Sequence, residues 1–284
     1  MNAALKETVG IVGVGRMGLA IAGHLRRHGQ SVVVYDIDPA RSDAARSLGA
    51  EVAPTVGKAG EAASFVIIAV GYDNEVTEVM TGENGLIAVM KPGSVIGISS
   101  TCSPAHVKRL EAQAREKGIH VVDAPICRGA QAADAGTMLA LLGCSSELYE
   151  RARPIYGTFC SDIALLGPVG AGQFGKAMNN FLLWVNGVAL IEAAKLSEAN
   201  GIDLVVLRDA LLKSSGASDA LKNWENVSFI WALKDMQVVS AIADEAGLSL
   251  PVVGAIKELV KDGLRIKRTN PPDWTGKTRR GPAA

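Results

Sequence analysis

Residues 8–36 read TVGIVGVGRMGLAIAGHLRRHGQSVVVYD, and the changes of pattern inside them decide the fold. Residues 8–12 are a short β-branched run, which predicts a buried strand. The run stops at Gly13-Val14-Gly15-Arg16-Met17-Gly18, after which Leu19, Ile21, Ala22 and Leu25 recur at helical spacing. Gly29 closes that helix, residues 31–35 (SVVVY) form a second strand, and Asp36 stands at its end. In this context GxGxxG has a mechanism. Gly13 allows the tight turn, Gly15 lets backbone approach a pyrophosphate, and Gly18 lets helix and strand pack closely. The helix N-terminus then offers N–H groups and a positive dipole end to phosphates. A glycine-rich turn without a ligand is the competing reading, but Asp36 sits near the spacing of about 20 residues that a ribose-binding acid requires. Residues 13–18 and Asp36 therefore point to a nicotinamide dinucleotide.

Asp36 also bears on which dinucleotide. A carboxylate accepts hydrogen bonds from both ribose hydroxyls and repels a 2′-phosphate, so NAD is favoured and NADP remains possible. Asp38 adds negative charge, whereas Arg41 is either a partner for a phosphate or a solvated helix-face charge. Beyond it the chain alternates: helix 40–48, a short strand near Val52, buried strand 64–70, helical segments 74–80 and 85–90, and strand 94–99. Helix 103–117, strand 120–123, strand 138–143, helix 146–155 and strand 162–166 follow. Such alternation predicts a Rossmann-type, doubly wound parallel sheet whose ligands lie at the strand carboxyl ends. Two of those ends carry chemistry. Val70 and Gly71 allow backbone approach to a cofactor, and Ser99, Ser100 and Thr101 put three hydroxyls before a helix start at Pro104. Simple N-capping by Ser103, with the other hydroxyls solvated, accounts for the same residues.

Composition sets the outer bounds. The chain has 284 residues, 48% of them hydrophobic, enough for about two domains with real cores. Lys plus Arg and Asp plus Glu both number 29, so the net charge is zero and a nucleic-acid partner is not indicated. Cys102, Cys127, Cys144 and Cys160 show no metal-ligand or redox spacing, and reduced thiols in a cytoplasmic protein are the expectation. The first residues show no export signal, and no apolar run is long enough to span a membrane. The four histidines have no neighbouring Asp or Ser arrangement, and no GxSxG elbow or metal cluster occurs.

The second half is organised on residues 167–201, a glycine-rich lead-in running into a long apolar helix. Lys176, Asn179 and Asn180 share one face of its first turns. By itself this is either a core helix with a solvated lysine at its start or a site that aims one amine and two amides at a ligand. Further helices are expected at 204–213, 232–246 and 251–261, with Asp203 as an N-cap. The domain expectation is thus a dinucleotide-binding domain over 1–167 and an all-helical domain over 168–284. A linking helix at about 171–200 joins them, and a mobile tail follows about 275.

Taken in order, these motifs resemble the β-hydroxyacid dehydrogenase family, which includes 3-hydroxyisobutyrate dehydrogenase and tartronate semialdehyde reductase, over nearly the whole length. GVGRMGLAIAGHLRRHG matches the family's dinucleotide motif. Ser100, Thr101 and Pro104 match D-x-S-T-x-x-P, with Ile98 in place of its aspartate. Asp123-Ala124-Pro125, Gly129 and Gly136-Thr137 match D-A-P-V-S-G-G…G-T, and GAGQFGKAMNN matches G-x-G-x-x-x-K-x-x-N. The resemblance implies hydride transfer between a nicotinamide and a small acidic β-hydroxyacid or its semialdehyde, with Lys176 as general acid and base. Asn180 would orient the substrate, Thr101 would stand beside both cofactor and substrate, and Lys234, of the pair Lys234-Asp235, would approach the nicotinamide. Ser100, Thr101 and the Gly129 backbone would anchor the acid group, and Cys127 and Arg128 would line the substrate site beside them. A lysine moves protons near neutral pH only where burial or a nearby cation lowers its pKa.

The resemblance also implies a homodimer or homotetramer. One departure stands out: Cys127-Arg128-Gly129 replaces the family's Ser-Gly-Gly. Arginine suits bidentate capture of an oxyanion, and similarity to the sulfolactaldehyde reductase branch suggests a sulfonate or second anionic group. Alternatively Arg128 pairs with Asp134 or points to solvent. Two other readings of the chain are a non-catalytic nucleotide-binding sensor, opposed by the intact Lys176, Asn180 and Lys234, and an imine-reductase-like relative, in which that lysine is usually replaced.

Overall fold

A strand buried on both faces must be apolar at successive positions, with side chains alternating between two cores. In the computed structural model, which describes residues 7–276, that alternation organises the first half. The elements in order are β1 (Thr8–Val12), α1 (Arg16–Arg27), β2 (Ser31–Tyr35), α2 (Pro39–Ser47), β3 (Glu51–Val52), α3 (Val56–Ala62) and β4 (Phe65–Ile68). They continue with α4 (Asp73–Thr81), α5 (Leu86–Val89), β5 (Val95–Ile98), α6 (Pro104–Glu116), β6 (His120–Asp123), β7 (Ile126–Cys127) and α7 (Gly129–Ala135). β8 (Met138–Gly143), α8 (Ser146–Tyr156) and β9 (Cys160–Gly167) follow. The strand order is β3-β2-β1-β4-β5-β6-β8-β7, with β9 paired to β8. Val9, Ile11, Phe65 and Ile67 enter one core with α1 and α8. Val12, Val66, Ile68, Ile96 and Ile98 enter the other with α4 and α6. Each such side chain, fully buried, contributes about 1.5–3 kcal/mol of transfer free energy.

The sheet is parallel from β3 to β6, and β1 pairs with both β2 and β4. The chain thus reverses its winding direction at β1, which opens a crevice at the carboxyl ends of β1 and β4. The far edge departs from the all-parallel expectation, because β8 runs antiparallel to β6 and β7. The cause is local. Pro125 stands two residues after the end of β6, and α7, a helix of seven residues, returns the chain alongside β7 instead of crossing the sheet. Two helices of the first half absent from the sequence reading, α3 and α7, are both short. α3 carries Gly57 and Gly60, where a Cβ would come within 3.0 Å of Asn84 O and 2.9 Å of Leu86, so its glycines serve packing on α5 rather than a turn.

The chain divides into two compact units, Met1–Lys176 and Ala177–Ala284. The division falls inside a single helix, α9 (Ala171–Ala199), nine residues later than the sequence boundary at 167. The second unit contains α10 (Leu204–Leu211), α11 (Asp219–Lys222), a 3-10 turn at Trp224–Asn226, α12 (Ala232–Glu245) and α13 (Pro251–Thr269). Asp203 caps α10 by accepting the N–H groups of Val205 and Val206. α13 runs eight residues past the expected end, because Asp262-Gly263 is not a stop. The Phe229 ring lies against Gly263, 2.5 Å from where a Cβ would stand, and Trp184 and Trp224 flank it. Among the described residues no helix is long and apolar enough to cross a membrane. The expected mobile tail, apart from Thr275 and Gly276, lies outside the described residues.

Candidate active site

The glycine turn sits at the carboxyl end of β1. Gly13 adopts φ +89°, and a Cβ there would stand 2.7 Å from Ala69 O. At Gly18 a Cβ would come within 1.9 Å of Gly13 O. Gly15 is different: the nearest atom to an added Cβ is Arg41 Nη1, at 3.6 Å. The protein's own packing thus requires Gly13 and Gly18, whereas Gly15 leaves bare backbone at the start of α1, as a pyrophosphate needs. A groove of about 390 Å³ lies beside it, lined by Val14, Gly15, Arg16, Ala40 and Arg41. Met17 packs against the core.

Asp36 ends β2 as a buried carboxylate, 4% exposed. Its Oδ2 accepts the Val14 N–H at 2.8 Å and its Oδ1 the Asp38 N–H at 2.9 Å. Each oxygen keeps a further lone pair for a hydroxyl. Arg41 approaches both acids, 3.8 Å from Asp36 and 3.4 Å from Asp38. These residues fit a dinucleotide with its pyrophosphate over Gly15 and its ribose at Asp36.

At the ends of β4 and β5 the structure is more sparing with free groups than the sequence suggested. Ser100 is buried, and its Oγ accepts the Val70 N–H at 2.9 Å. Its hydroxyl therefore joins the two strand ends. Thr101 is half-buried between Ser100 and Cys102. Gly71 donates to Glu75 Oε2 at 2.7 Å, at the start of α4. Ser103 caps α6 by accepting the His106 N–H, in line with the N-cap reading.

Cys127 is buried on β7, and all four cysteines are free thiols. Burial pushes the Cys144 thiol up to about 11 and the Cys160 thiol to about 12, which makes both inert near neutral pH. Arg128 holds φ +80°, a left-handed conformation that a side chain disfavours, and precedes Gly129 at the start of α7. Its Nη1 donates to Asp162 Oδ2 at 2.6 Å, Ser161 Oγ at 2.9 Å and Thr137 O at 3.0 Å. The guanidinium holds the Asp162 carboxyl below its ordinary pKa. Arg128 thus pairs neither with Asp134 nor with solvent alone. Asp134 is taken by Arg16, whose Nη1 lies 2.8 Å from Asp134 Oδ1.

Lys176 occupies the second turn of α9, and its Nζ donates to Ile126 O at 2.8 Å. The amine is therefore directed at the segment that follows Asp123-Ala124-Pro125. Asp123, fully buried at the end of β6, accepts the N–H groups of Gly170 and Gln173. Burial raises its pKa to about 6, against the lowering effect of those bonds. In the second unit Asn179 Nδ2 donates to Asn180 Oδ1 at 3.0 Å, which engages the acceptor of Asn180 and leaves its amide as the donor. Lys234 lies over the Trp231 ring, and Asp235 accepts the Trp184 indole N–H at 2.9 Å. Asp123 stands out in the sequence as the start of the Asp123-Ala124-Pro125 motif, but its role and that of Gln173 as supports of the site do not emerge there. The sequence signal of Gln173 is a polar amide inside the glycine-rich entry to an apolar helix.

The doubly wound sheet, with its glycine turn at the end of β1 and the buried Asp36 carboxylate after β2, has the form of a dinucleotide-binding domain. Residues 8–167 match the model of the NAD-binding domain of 6-phosphogluconate dehydrogenase. Residues 170–270 match the NAD-binding model of NADP-dependent 3-hydroxyisobutyrate dehydrogenase. The chain is 33% identical over 216 residues to an NAD-dependent L-serine dehydrogenase of Pseudomonas aeruginosa, covering 76% of this chain and 72% of the relative. It is 32% identical to 2-(hydroxymethyl)glutarate dehydrogenase of Eubacterium barkeri, covering 75% and 71%. The structure of a Mycobacterium tuberculosis 3-hydroxyisobutyrate dehydrogenase with L-serine shares the fold, with TM-score 0.84, 24% identity and coverage of 91% and 94%. A Myxococcus stipitatus imine reductase variant with NAD+ is a more distant fold match, with TM-score 0.68, 21% identity and coverage of 92% and 94%. The chain belongs to the β-hydroxyacid dehydrogenase family and is an NAD(P)-dependent hydroxyacid dehydrogenase.

Proposed function

We propose that this enzyme interconverts a small β-hydroxyacid and its semialdehyde, with Lys176 as the proton partner and NAD as the preferred cofactor. The observation that carries the reading is the Lys176 amine held 2.8 Å from Ile126 O at the strand carboxyl ends. The names of the relatives narrow the substrate. L-Serine, 2-(hydroxymethyl)glutarate and 3-hydroxyisobutyrate all carry a CH2OH group on the carbon that bears a carboxylate. The proposed substrate therefore has the form HOCH2–CHR–COO⁻.

When bound, the nicotinamide accepts or supplies the hydride at the carbinol carbon. Lys176 then takes the hydroxyl proton in oxidation and returns it to the carbonyl oxygen in reduction. The Asn180 amide holds the reacting oxygen, and Thr101 with the Gly129 backbone holds the carboxylate. Val70 and Gly71, just past the end of β4, would hold the cofactor by their backbone, and Lys234 would bind toward its nicotinamide end. The test is a panel of carboxylated, sulfonated and phosphorylated semialdehydes with NADH and NADPH in parallel. Turnover of a carboxylated semialdehyde supports the reading, and activity confined to cyclic imines overturns it.

Asp36 sets the cofactor choice through its charge. Asp36→Asn keeps an acceptor for the Val14 N–H and removes the charge that repels a 2′-phosphate. The ratio of kcat/KM for NADP over NAD should rise by about tenfold or more, one charge–charge contact being worth over ~1 kcal/mol in a half-buried groove. An unchanged ratio would place the discrimination elsewhere.

Arg128 is the proposed contact for a sulfonate or other second anion, through the edge of its fork away from Asp162. Arg128→Gly tests this. The left-handed φ is relieved by about 1–2 kcal/mol, while an exposed ion pair that solvent screens is lost along with unfolded-state restriction. Stability should stay within about 1 kcal/mol of the parent in thermal unfolding. If Arg128 reads the anion, KM for a sulfonated semialdehyde rises at least about tenfold and KM for a carboxylated one does not. Equal changes in both would make Arg128 a tie between β7 and β9.

A further inference from the structure

The buried polar groups beneath Lys176 form a closed circuit. Asp123 Oδ2 accepts the backbone N–H of Gln173 at 3.0 Å and of Gly170 at 2.9 Å, which fixes the first turn of α9 to the end of β6. The Gln173 side chain is fully buried and turns to a different strand end. Its Oε1 accepts the Cys102 N–H at 2.9 Å, and its Nε2 donates to Ser100 O at 2.9 Å. One amide thus grips the backbone on both sides of Thr101. Three residues further along α9, Lys176 Nζ reaches Ile126 O, three residues beyond Asp123. No Cβ fits in this joint: at Gly172 it would lie 2.3 Å from Leu141 O and 2.9 Å from Asp123 O.

A buried glutamine with both amide atoms bonded to backbone is an orienting device, because donor and acceptor specify one direction each. The other oxygen of Asp123, Oδ1, is buried without a hydrogen-bond partner. The arrangement therefore keeps a costly buried carboxylate in order to hold the helix entry. We propose that Gln173, seated on Asp123, is a positioning residue that locks the Ser100–Cys102 turn in register with Lys176. The substrate-holding turn and the proton-transfer amine then move as one body. This rests on the reading of Lys176 as the proton partner. Misplacement by about 1 Å at such a site costs on the order of 10²-fold in rate. The titratable groups around the clasp are Asp123 on β6, Cys144 after β8 and Tyr156 on α8, all three with pKa raised by burial, together with Cys102 on the turn, Lys108 of α6 beside Gly170, and Lys176 on α9.

Two variants and one non-kinetic readout test the clasp. Gln173→Met keeps the length and removes both bonds. Its kcat should fall about 10²-fold while NADH affinity, measured by fluorescence titration, stays within about twofold, since Gly13–Gly18 and Asp36 are untouched. Gln173→Glu is the rescue. Protonated, a glutamic acid both accepts from Cys102 and donates to Ser100 O; ionised, it cannot donate and faces Asp123. Its kcat relative to wild type should therefore recover by about tenfold as pH falls from about 8.5 to 6, about one pH unit of proton linkage. Amide hydrogen exchange at Cys102 should quicken in Gln173→Met. Wild-type kcat and wild-type Cys102 exchange in Gln173→Met overturn the proposal, as does a Gln173→Glu profile parallel to wild type. If Lys176→Ala keeps full turnover, the proton-transfer reading fails by itself, and Cys102 exchange still decides whether the clasp exists.

Discussion

Lys176→Ala is expected to lower kcat and kcat/KM together by about 10²–10⁴-fold, the range that a positioned general acid or base supplies. KM for the cofactor should barely move, because the amine is placed on Ile126 O rather than at the glycine turn. The fold should survive, since a long polar side chain half-buried at the start of α9 carries little of either core. Lys176→Arg sharpens the result. Arginine keeps the positive charge and reach but does not give up its proton at any pH an enzyme tolerates. If the lysine moves a proton, arginine fails to rescue. If it only neutralises a carboxylate, arginine restores most of the rate. Stopped-flow turnover with NADH and a carboxylated semialdehyde, run on all three proteins, separates the two roles.

Gly18→Ala is expected to be the most damaging single methyl group in the cofactor crevice. The added Cβ would stand 1.9 Å from Gly13 O and 3.0 Å from Gly13 C, both backbone atoms with no rotamer to escape through. Either α1 lifts from β1 or the Gly13 turn opens. Both responses move the Gly15 N–H and those of the first turn of α1 away from a pyrophosphate. Overpacking of this kind costs about 1–3 kcal/mol of stability. Affinity for NADH should fall by about 10²-fold or more, as for any loss of several charge-assisted hydrogen bonds. Gly29→Ala is the matched comparison: it shares a left-handed backbone with Gly13, φ +79°, but an added Cβ meets nothing within 4 Å. It should cost about 1 kcal/mol of strain and leave NADH affinity alone. Equal NADH affinity in Gly18→Ala and wild type would mean that the turn does not cradle the cofactor.

The first unit was readable because its central strands are buried on both faces. Residues 8–12, 31–35, 64–70 and 94–99 are apolar runs cut by glycine, proline or aspartate, and each contains a strand of the sheet. What escaped was set by packing rather than by pattern. α3 contains two glycines that are there to meet α5, and α13 runs through a glycine that is there to meet Phe229. The antiparallel edge escaped for the same reason, since the residues of β7 and α7 carry no periodicity long enough to show a reversal. Of the proposed site, the groups that stay on their own element were legible: Gly13, Gly15, Gly18, Asp36 and Lys176. The groups whose partners lie far along the chain were not. Ser100 reads as a free hydroxyl until its bond to Val70 is seen. Arg128 reads as a wholly free anion fork until Asp162, on another strand, is found on one edge of it. Gln173 is an ordinary polar residue in sequence, and only its burial between Asp123 and the Ser100–Cys102 turn gives it meaning.

The central claim is that this chain delivers a hydride to the aldehyde carbon of a carboxylated semialdehyde while Lys176 protonates the oxygen. Mass spectrometry of the product formed with NADH carrying deuterium at the transferable C4 position tests it most directly. The account predicts a 3-hydroxy acid with one deuterium, on the carbinol carbon, formed by the wild type and nearly absent with Lys176→Ala. A product without deuterium, or deuterium found only in an amine made from an imine, would contradict it.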